Sequence, residues 1–426
     1  MLQSKYELAD ELNLNVKARN AGEIADCTHE NQHRATFAAS ETAASETVAS
    51  TTSKIATSAD SANAISASVS SASVDPASAT SAIHRRTGYG ETCAKVILFG
   101  EHSVVYGHSA VALPLKNLRM RATVRSCDCE SAANTANSAS AANPQSSAAN
   151  QQSPSTLDSQ ITLSCLGFTG KLSEIPPRFS SIRAAIHAAL EFVGWVGESL
   201  HVTTESDFPP ERGLGSSAAA AGAVIRAILD YYGARASEDE IFALTQSAER
   251  VAHGHPSGLD ATATSASWPV RFRRGQFSRM DICMRAWLVL ADSGCKGMTR
   301  ETVEALRARL EAHPYEVGAQ LDKLGAIAVE AEDDLALGRV ENMGARMNRA
   351  HRILADLGVS TPQLDALVRA ACEHGALGAK LTGGGGGGCV IALADSADAA
   401  DRVSAALRKA GACGTWIVNI GDDLAR

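Results

Sequence analysis

The chain of 426 residues carries a formal net charge of -8, with 39 Lys and Arg against 47 Asp and Glu. It contains no basic block or Lys/Arg stripe, which argues against a nucleic-acid or anionic-membrane surface. The ten cysteines have no regular spacing, and Cys127 and Cys129 form a C-x-C rather than the C-x-x-C of a zinc or redox site. The start, MLQSKYELADELNLN, is acidic and lacks the apolar stretch of a secretory signal, and no later run could span a bilayer. A cytoplasmic protein is therefore expected.

Two stretches have a biased composition. Residues 37–83 are nearly all Ser, Ala and Thr, which cannot bury enough apolar area to offset chain entropy. We therefore predict that residues 1–88 are a disordered extension. Residues 131–155 are rich in Ala, Ser, Asn and Gln and separate LRMRATVRSC from SQITLSCLGF. These strand-like segments suggest a hairpin whose loop is expanded by a low-complexity insertion.

The remaining segments predict a mixed α+β protein. Strands are expected, in chain order, at 94–99, 110–114, 120–126, 160–166 and 200–206, with a helix at 180–193. Helices follow at 216–231 and 237–252, the second opened by a capping box of Ser237 and Glu240. The C-terminal part predicts a strand at 287–291, helices at 302–312, 315–335 and 340–357, a helix starting at Thr361 and Pro362, and then glycines, a strand, a helix and a strand.

The segment PPERGLGSSAAAAGAVIRAIL predicts an anion site. Gly213 and Gly215 allow close backbone approach, and the amides of Ser216 to Ala218 begin a helix whose positive dipole end attracts phosphate. No lysine follows these glycines, so a Walker-type P-loop is disfavoured. On this segment alone, a serine-capped glycine turn before a small-residue helix is an equal alternative. Ser217 would direct a hydroxyl toward phosphates, as a magnesium ligand does.

The segment AERVAHGHPSGLDATAT presents carboxylates. A tight turn precedes Asp260, and Glu249 lies near the C-terminus of a helix, where the dipole disfavours an anion unless it binds Mg²⁺. The alternatives are an N-cap role for Asp260 and a solvated helix face for Glu249. His253 and His255 are expected to be structural rather than metal ligands.

Lys95 and a glycine run give two weaker signals. Lys95 stands at the start of the apolar run in CAKVILFGEHSVVYG, where a surface charge is the usual interpretation of a lysine. Gly383 to Gly388 lie between KLT and the apolar CVIAL. Six glycines lose much backbone entropy on ordering, so something is expected to approach this backbone closely, although a low-complexity linker is the alternative.

Together, the order KVILFGEHSVVYG, PPERGLGSSAA, HGHPSGLD and KLTGGGGGGC resembles the GHMP kinases, from about Thr92 to the C-terminus. Within that superfamily, LFGEHSVVYG is similar to the mevalonate kinase family, and ADSGCKGMT with LGVSTPQLDALV resembles its bacterial and archaeal members. The resemblance implies a ribosomal-protein-S5-like ATP-binding domain at 89–285 and a ferredoxin-like domain at 286–426. ATP and mevalonate would meet between these two domains. Whether the protein forms a homodimer is left open by the sequence.

The resemblance also implies roles for individual residues. Gly213, Leu214, Gly215, Ser216 and Ser217 would cradle the triphosphate, and Ser206 would be a further nucleotide contact. Ser217 and Glu249 would hold Mg²⁺. Asp260 would accept or orient the proton of the attacking primary hydroxyl, and Lys95 would stabilise negative charge and keep Asp260 ionised. His102 and Thr382 would bind mevalonate.

Three positions depart from common family patterns. Cys93 and Ala94 stand before Lys95 where many members have Pro-Gly. Glu211 and Arg212 replace a Gly-Ala pair of animal enzymes, and Gly384 replaces a common alanine. The rival functions are another GHMP kinase, such as a phosphomevalonate kinase, which would need further Lys or Arg for a second phosphate, and a non-catalytic metabolite sensor, which would be expected to lose the base or a metal ligand.

Overall fold

The computed structural model describes residues 87–127, 154–254 and 256–421. The extension predicted to be disordered and the predicted insertion at 131–155 lie outside these residues, apart from residues 87–88 and 154–155. The eleven strands of the described part are β1 Gly88–Phe99, β2 Ala110–Ser126, β3 Ile161–Cys165, β4 Phe168–Lys171, β5 Leu200–Ser206, β6 Val270–Arg273, β7 Gln276–Arg279, β8 Trp287–Asp292, β9 Gly378–Thr382, β10 Cys389–Ala394 and β11 Gly414–Asn419.

Ten α-helices accompany these strands in the same ranges of the chain. They are α1 Pro154–Gln160, α2 Ser180–Phe192, α3 Ser216–Tyr232, α4 Glu238–His253, α5 Leu259–Ser265, α6 Thr299–Ala312, α7 Pro314–Leu337, α8 Val340–Asp356, α9 Pro362–Glu373 and α10 Ala397–Lys409. The capping box at the start of α4 is confirmed, because Ser237 and Glu240 bond reciprocally. No helix of the described chain is long and apolar enough to cross a membrane.

The strands form two sheets. The first has the order β4-β3-β5-β2-β6-β7, with β1 on the other edge of β2, and the second is antiparallel with the order β11-β8-β10-β9. In the second sheet, α8, α9 and α10 pack against the strands. This is the mixed α+β, two-sheet arrangement that the resemblance implied.

The predicted hairpin between β2 and β3 is wrong. β5 lies between them, antiparallel to β2 and parallel to β3. The two predicted strands at 110–114 and 120–126 are one continuous β2. β5 and β6 share one edge of β2: β6 pairs only with residues 110–112, and β5 pairs only from Met120 onward. Pro114 is tolerated inside β2 because no strand forms hydrogen bonds to this edge at the proline.

Helix α3 packs closely on β1, and this contact positions the candidate site. A Cβ on Gly90 would lie 2.0 Å from the Ala223 carbonyl oxygen, and one on Gly88 would lie 2.2 Å from that of Ala227. The run of alanines on α3 leaves room for this approach, and the helix is buried along most of its length. The N-terminus of α3 is therefore fixed against the strand that carries Lys95.

Candidate active site

Residues 213–217 form a glycine loop that leads into α3. Gly213 and Gly215 have φ angles of 76° and 74°, a left-handed conformation that glycine adopts without strain. A Cβ on Gly215 would lie 3.0 Å from Lys95 Cγ, so a side chain there would crowd the lysine. The Lys95 N–H donates to the Leu214 carbonyl over 3.0 Å and ties the loop to β1. The first amides of α3 are thereby available to an anion.

Lys95 connects this loop to Asp260. Its Nζ lies 3.0 Å from Asp260 Oδ1 and donates to the Gly213 carbonyl over 3.1 Å. The Lys95 side chain is only 3% exposed, whereas that of Asp260, in the first turn of α5, is 45% exposed. A buried ammonium needs such partners, and the half-exposed carboxylate keeps an oxygen open to a small molecule. The structure thus brings together Lys95, the glycine loop and Asp260, which are far apart in the sequence.

Glu249 lies in the last turns of α4, beside the start of α3. Its Oε1 accepts hydrogen bonds from Ser217 Oγ at 2.7 Å and from Ser181 Oγ at 2.8 Å. His253 Nε2 lies 3.6 Å from the other carboxylate oxygen. Glu249 is buried, so it is not on a solvated helix face. Sequence reasoning missed Ser181, because a serine in an amphipathic helix gives no signal of its own.

The Glu249 and Ser217 oxygens suit magnesium. Mg²⁺ binds oxygen ligands and usually takes one or two carboxylates together with substrate phosphates. In octahedral Mg²⁺ coordination, two adjacent ligand oxygens that each lie about 2.1 Å from the ion are about 3 Å apart. The distance between Ser217 Oγ and Glu249 Oε1 is close to this value, at 2.7 Å. In the described ranges, no group of three or more His, Cys, Asp or Glu could hold a metal. A metal here would therefore depend on phosphate oxygens as well.

A cavity of about 570 Å³ extends from the start of α3. Its lining includes the polar Ser206, Ser216 and Ser217 and several apolar side chains, namely Leu166, Pro177, Phe179, Ile182 and Phe208. The Ser206 hydroxyl donates to the Phe208 carbonyl over 2.7 Å and accepts from its N–H, so it also shapes the turn after β5. This mixture of apolar and polar lining suits a purine joined to phosphates.

Alternate residues of β9 and the glycine run contact β1 and the loop after it. We call these contacts the seam, and its three pairs are Lys380 with Glu101, Thr382 with Ile97, and Gly384 with His102. The Lys380 ammonium donates to the Glu101 carboxylate, and both side chains are buried. The Thr382 hydroxyl donates to the Ile97 carbonyl over 2.9 Å and accepts from its N–H over 3.1 Å. The seam therefore joins the two sheets beside Lys95.

The seam involves both residues expected to bind mevalonate. His102 Nε2 donates to the Gly384 carbonyl over 2.9 Å, and the Thr382 hydroxyl has protein partners for both its donor and its acceptor. Burial lowers the pKa of His102, so this imidazole stays neutral near pH 7. Their substrate roles stay predictions, whereas their structural role in the seam is observed.

The glycine run meets the protein's own backbone. A Cβ on Gly383 would lie 3.3 Å from Gly213 Cα, and one on Gly384 would lie 2.7 Å from Thr299 Cα. Gly386 donates to the Val359 carbonyl over 2.9 Å. The run is therefore an ordered loop rather than a linker, and it packs beside the glycine loop.

Sequence reasoning missed the ionic contacts that hold these loops together. Burial raises the pKa of Glu101 and lowers that of Lys380, and each charge opposes the shift of the other. Arg212, just before the glycine loop, donates from Nε to Asp292 Oδ1 over 2.8 Å, at the end of β8. Glu101 and Lys380 do lie in two segments that the sequence singled out, GEH and KLT. They are 279 residues apart, however, and a single sequence does not show that two such distant residues form a pair.

The chain is similar to known proteins along most of this structure. Residues 180–267 match the GHMP kinases N terminal domain, and residues 331–413 match GHMP kinases C terminal. Mevalonate kinase from Pyrococcus furiosus is 34% identical over 326 residues, which cover 75% of this chain and 92% of that protein. The mouse (Mus musculus) mevalonate kinase is 29% identical over 367 residues, covering 77% and 91%.

Solved structures have the same fold. The L. major mevalonate kinase in complex with R-mevalonate has a TM-score of 0.64 at 24% identity, covering 79% of this chain and 97% of that one. Mevalonate kinase from methicillin-resistant Staphylococcus aureus MRSA252 has a TM-score of 0.58 at 27% identity, covering 79% and 99%. Fold and site together define a small-molecule kinase of the GHMP type. Given its identity to curated relatives over nearly their full length, the chain belongs to the mevalonate kinase family.

Proposed function

We propose that this enzyme transfers the terminal phosphoryl group of ATP to the primary hydroxyl of mevalonate and forms 5-phosphomevalonate. The observation that carries the proposal is the position of Lys95, 3.0 Å from the half-exposed Asp260 carboxylate and 3.1 Å from the Gly213 carbonyl of the glycine loop. One buried cation thus connects a candidate base to a candidate phosphate site. Family membership supplies the acceptor, because the curated relatives are mevalonate kinases.

In this mechanism the chain's own residues position the reactants. The amides at the start of α3 bind phosphate oxygens, and the apolar part of the cavity holds the base of ATP. Asp260 takes the proton of the primary hydroxyl as its oxygen bonds to phosphorus, while the bond from phosphorus to the leaving ADP oxygen breaks. Lys95 stabilises the negative charge on the transferring group.

We further propose that Glu249 and Ser217 hold Mg²⁺ together with phosphate oxygens. When bound, the ion neutralises charge on the β- and γ-phosphates. Ser181 keeps the Glu249 carboxylate in place through its 2.8 Å hydrogen bond. We propose that the enzyme acts in the cytoplasm. We also place the boundary between its two domains at residues 285 and 286, which lie after the last strand of the first sheet and before the first strand of the second.

The test is an acceptor panel. ADP release is measured with mevalonate, phosphomevalonate, galactose and homoserine at equal concentrations, and the product of the active reaction is identified by mass and ³¹P NMR. The proposal expects turnover with mevalonate and a phosphate on its primary hydroxyl. Turnover with phosphomevalonate alone would favour the rival kinase, and binding without turnover on any acceptor would favour a metabolite sensor.

A further inference from the structure

Glu211, two residues before the glycine loop, forms an exposed ion pair with the loop after β8. Lys296 Nζ lies 2.5 Å from Glu211 Oε2, and the two side chains are 70% and 48% exposed. Both residues line the 570 Å³ cavity, as Ser216 and Ser217 do. The pair therefore stands where the phosphates of a bound nucleotide would lie.

Glu211 is held in a conformation that is unusual for its residue type. Its φ is 59°, in the left-handed region that non-glycine residues rarely occupy. Its N–H donates to Ser216 Oγ over 3.3 Å, and its carbonyl accepts from the Gly297 N–H over 3.0 Å. Strain of this kind persists where surrounding contacts enforce it, and it is concentrated at functional sites. The enforced conformation places the carboxylate against Lys296.

Two other cations near the loop, Lys95 and Arg212, already have strong partners. Lys95 is buried against Asp260, and Arg212 donates to Asp292 and to the Gly294 carbonyl. Lys296 is different, because an exposed ion pair contributes little and can exchange partners at small cost. A polyphosphate carries more charge than one carboxylate and attracts an ammonium more strongly.

We infer that Lys296 is a nucleotide-binding residue that leaves Glu211 and contacts the terminal phosphates of ATP. This inference rests on the proposed function, whose phosphate site it completes. Glu211 then opposes nucleotide binding in two ways: it competes for the ammonium, and it places a negative charge beside the phosphates. The two members of the pair consequently act on ATP affinity with opposite signs.

The experiment measures dissociation constants of ATP, ADP and AMP by calorimetry with the full chain and its variants. Lys296→Met should weaken ATP and ADP by roughly tenfold, the effect of one lost charged hydrogen bond, and change AMP by less than about twofold. Lys296→Arg should restore most of the affinity. Glu211→Gln should tighten ATP by about threefold, because a nearby like charge is removed. The charge-matched control is Lys323→Met, on the exposed face of α7.

The outcomes separate this inference from the proposed function. Unchanged ATP affinity in Lys296→Met, or equal losses for all three nucleotides, overturns the inference alone if the wild-type chain still phosphorylates mevalonate. Weaker ATP binding in both Lys296→Met and Glu211→Gln also overturns it, because a merely structural ion pair predicts the same sign for both variants. Absence of ATP binding by the wild-type chain overturns the proposed function and the inference together.

Discussion

Two serine hydroxyls, those of Ser217 and Ser181, donate to one oxygen of the buried Glu249 carboxylate. The sequence suggested Glu249 through its position near a helix C-terminus and through the family resemblance. The partner on α3, Ser217, was predicted from its place at a helix start, whereas Ser181 on α2 was not. Position within one helix can therefore be inferred from sequence, but contacts between helices cannot.

Replacing Glu249 by Gln removes the charge and keeps the shape. We expect Glu249→Gln to raise the Mg²⁺ concentration for half-maximal activity by about tenfold or more, because a neutral amide is a weaker ligand for a hard cation. The measurement is activity against free Mg²⁺ at saturating ATP. Glu238→Gln is the matched control, on the same helix with its side chain 78% exposed, and it should behave as wild type. An unchanged requirement in Glu249→Gln would exclude it as a ligand.

At the scale of elements, Gly384 in the glycine run shows how packing, rather than backbone conformation, can require a glycine. Gly384 is not among the residues with positive φ, so its backbone would accept alanine. A Cβ would nevertheless lie 2.3 Å from Thr299 Oγ1 and 2.7 Å from Thr299 Cα. An alanine side chain at position 384 would therefore crowd Thr299 at the start of α6.

Gly384→Ala should therefore lower the free energy of unfolding by about 1–3 kcal/mol through overpacking. Gly318→Ala is the matched control, because Gly318 lies inside α7 and a Cβ added there would have no neighbouring atom within 4 Å. That substitution should stabilise the protein by up to about 1 kcal/mol through helix propensity. Urea unfolding measures both. Equal and small effects of the two substitutions would show that Thr299 moves away freely.

The elements that were predicted correctly depend on residues close in the sequence, whereas the elements that were missed depend on residues far apart in it. The boundaries of α3, α4 and β5 follow from local periodicity and capping, and they agree with the structure to within one or two residues. The short β9, with sequence GAKLT, has neither alternation nor β-branched enrichment. The charge of its buried Lys380 is paired with a glutamate that is distant in the sequence. The wrong hairpin has the same cause, because β5 enters between β2 and β3 only through long-range pairing.

At the scale of the molecule, the seam places a buried ion pair between the two sheets. We expect Lys380→Met alone to destabilise the protein by about 3–5 kcal/mol, because it leaves the Glu101 carboxylate buried and unpaired. The double variant Glu101→Leu with Lys380→Met should recover most of that loss. Thermal and urea unfolding check both. A double variant as unstable as the single one would show that the ion pair itself stabilises the seam.

His351 gives the folded state a pH dependence. Its Nδ1 accepts from the Leu381 N–H over 3.3 Å, and Nε2 faces Asp365 at 3.2 Å, so the neutral ring fits these contacts. Burial lowers its pKa below the ordinary 6.5, against the opposing effect of Asp365. The unfolded state then binds more protons, and stability present above about pH 6.5 is lost as the pH falls toward the lower folded pKa.

Unfolding between about pH 8 and pH 5.5 tests this dependence. His351→Gln should lose part of the wild-type slope in the free energy of unfolding, whereas His313→Gln, at an exposed position, should keep it. A slope that is the same in wild type and His351→Gln would assign the pH dependence to other groups.

We propose that Asp260, held by Lys95 beside the glycine loop, is the base for phosphoryl transfer. The most direct measurement is turnover and ATP affinity of Asp260→Asn and Asp260→Ala with mevalonate as acceptor. We predict a loss of kcat by about 100-fold or more, with the dissociation constant of ATP changed little, because only proton removal is lost. Normal turnover in either variant would contradict the account, and so would a loss confined to ATP binding.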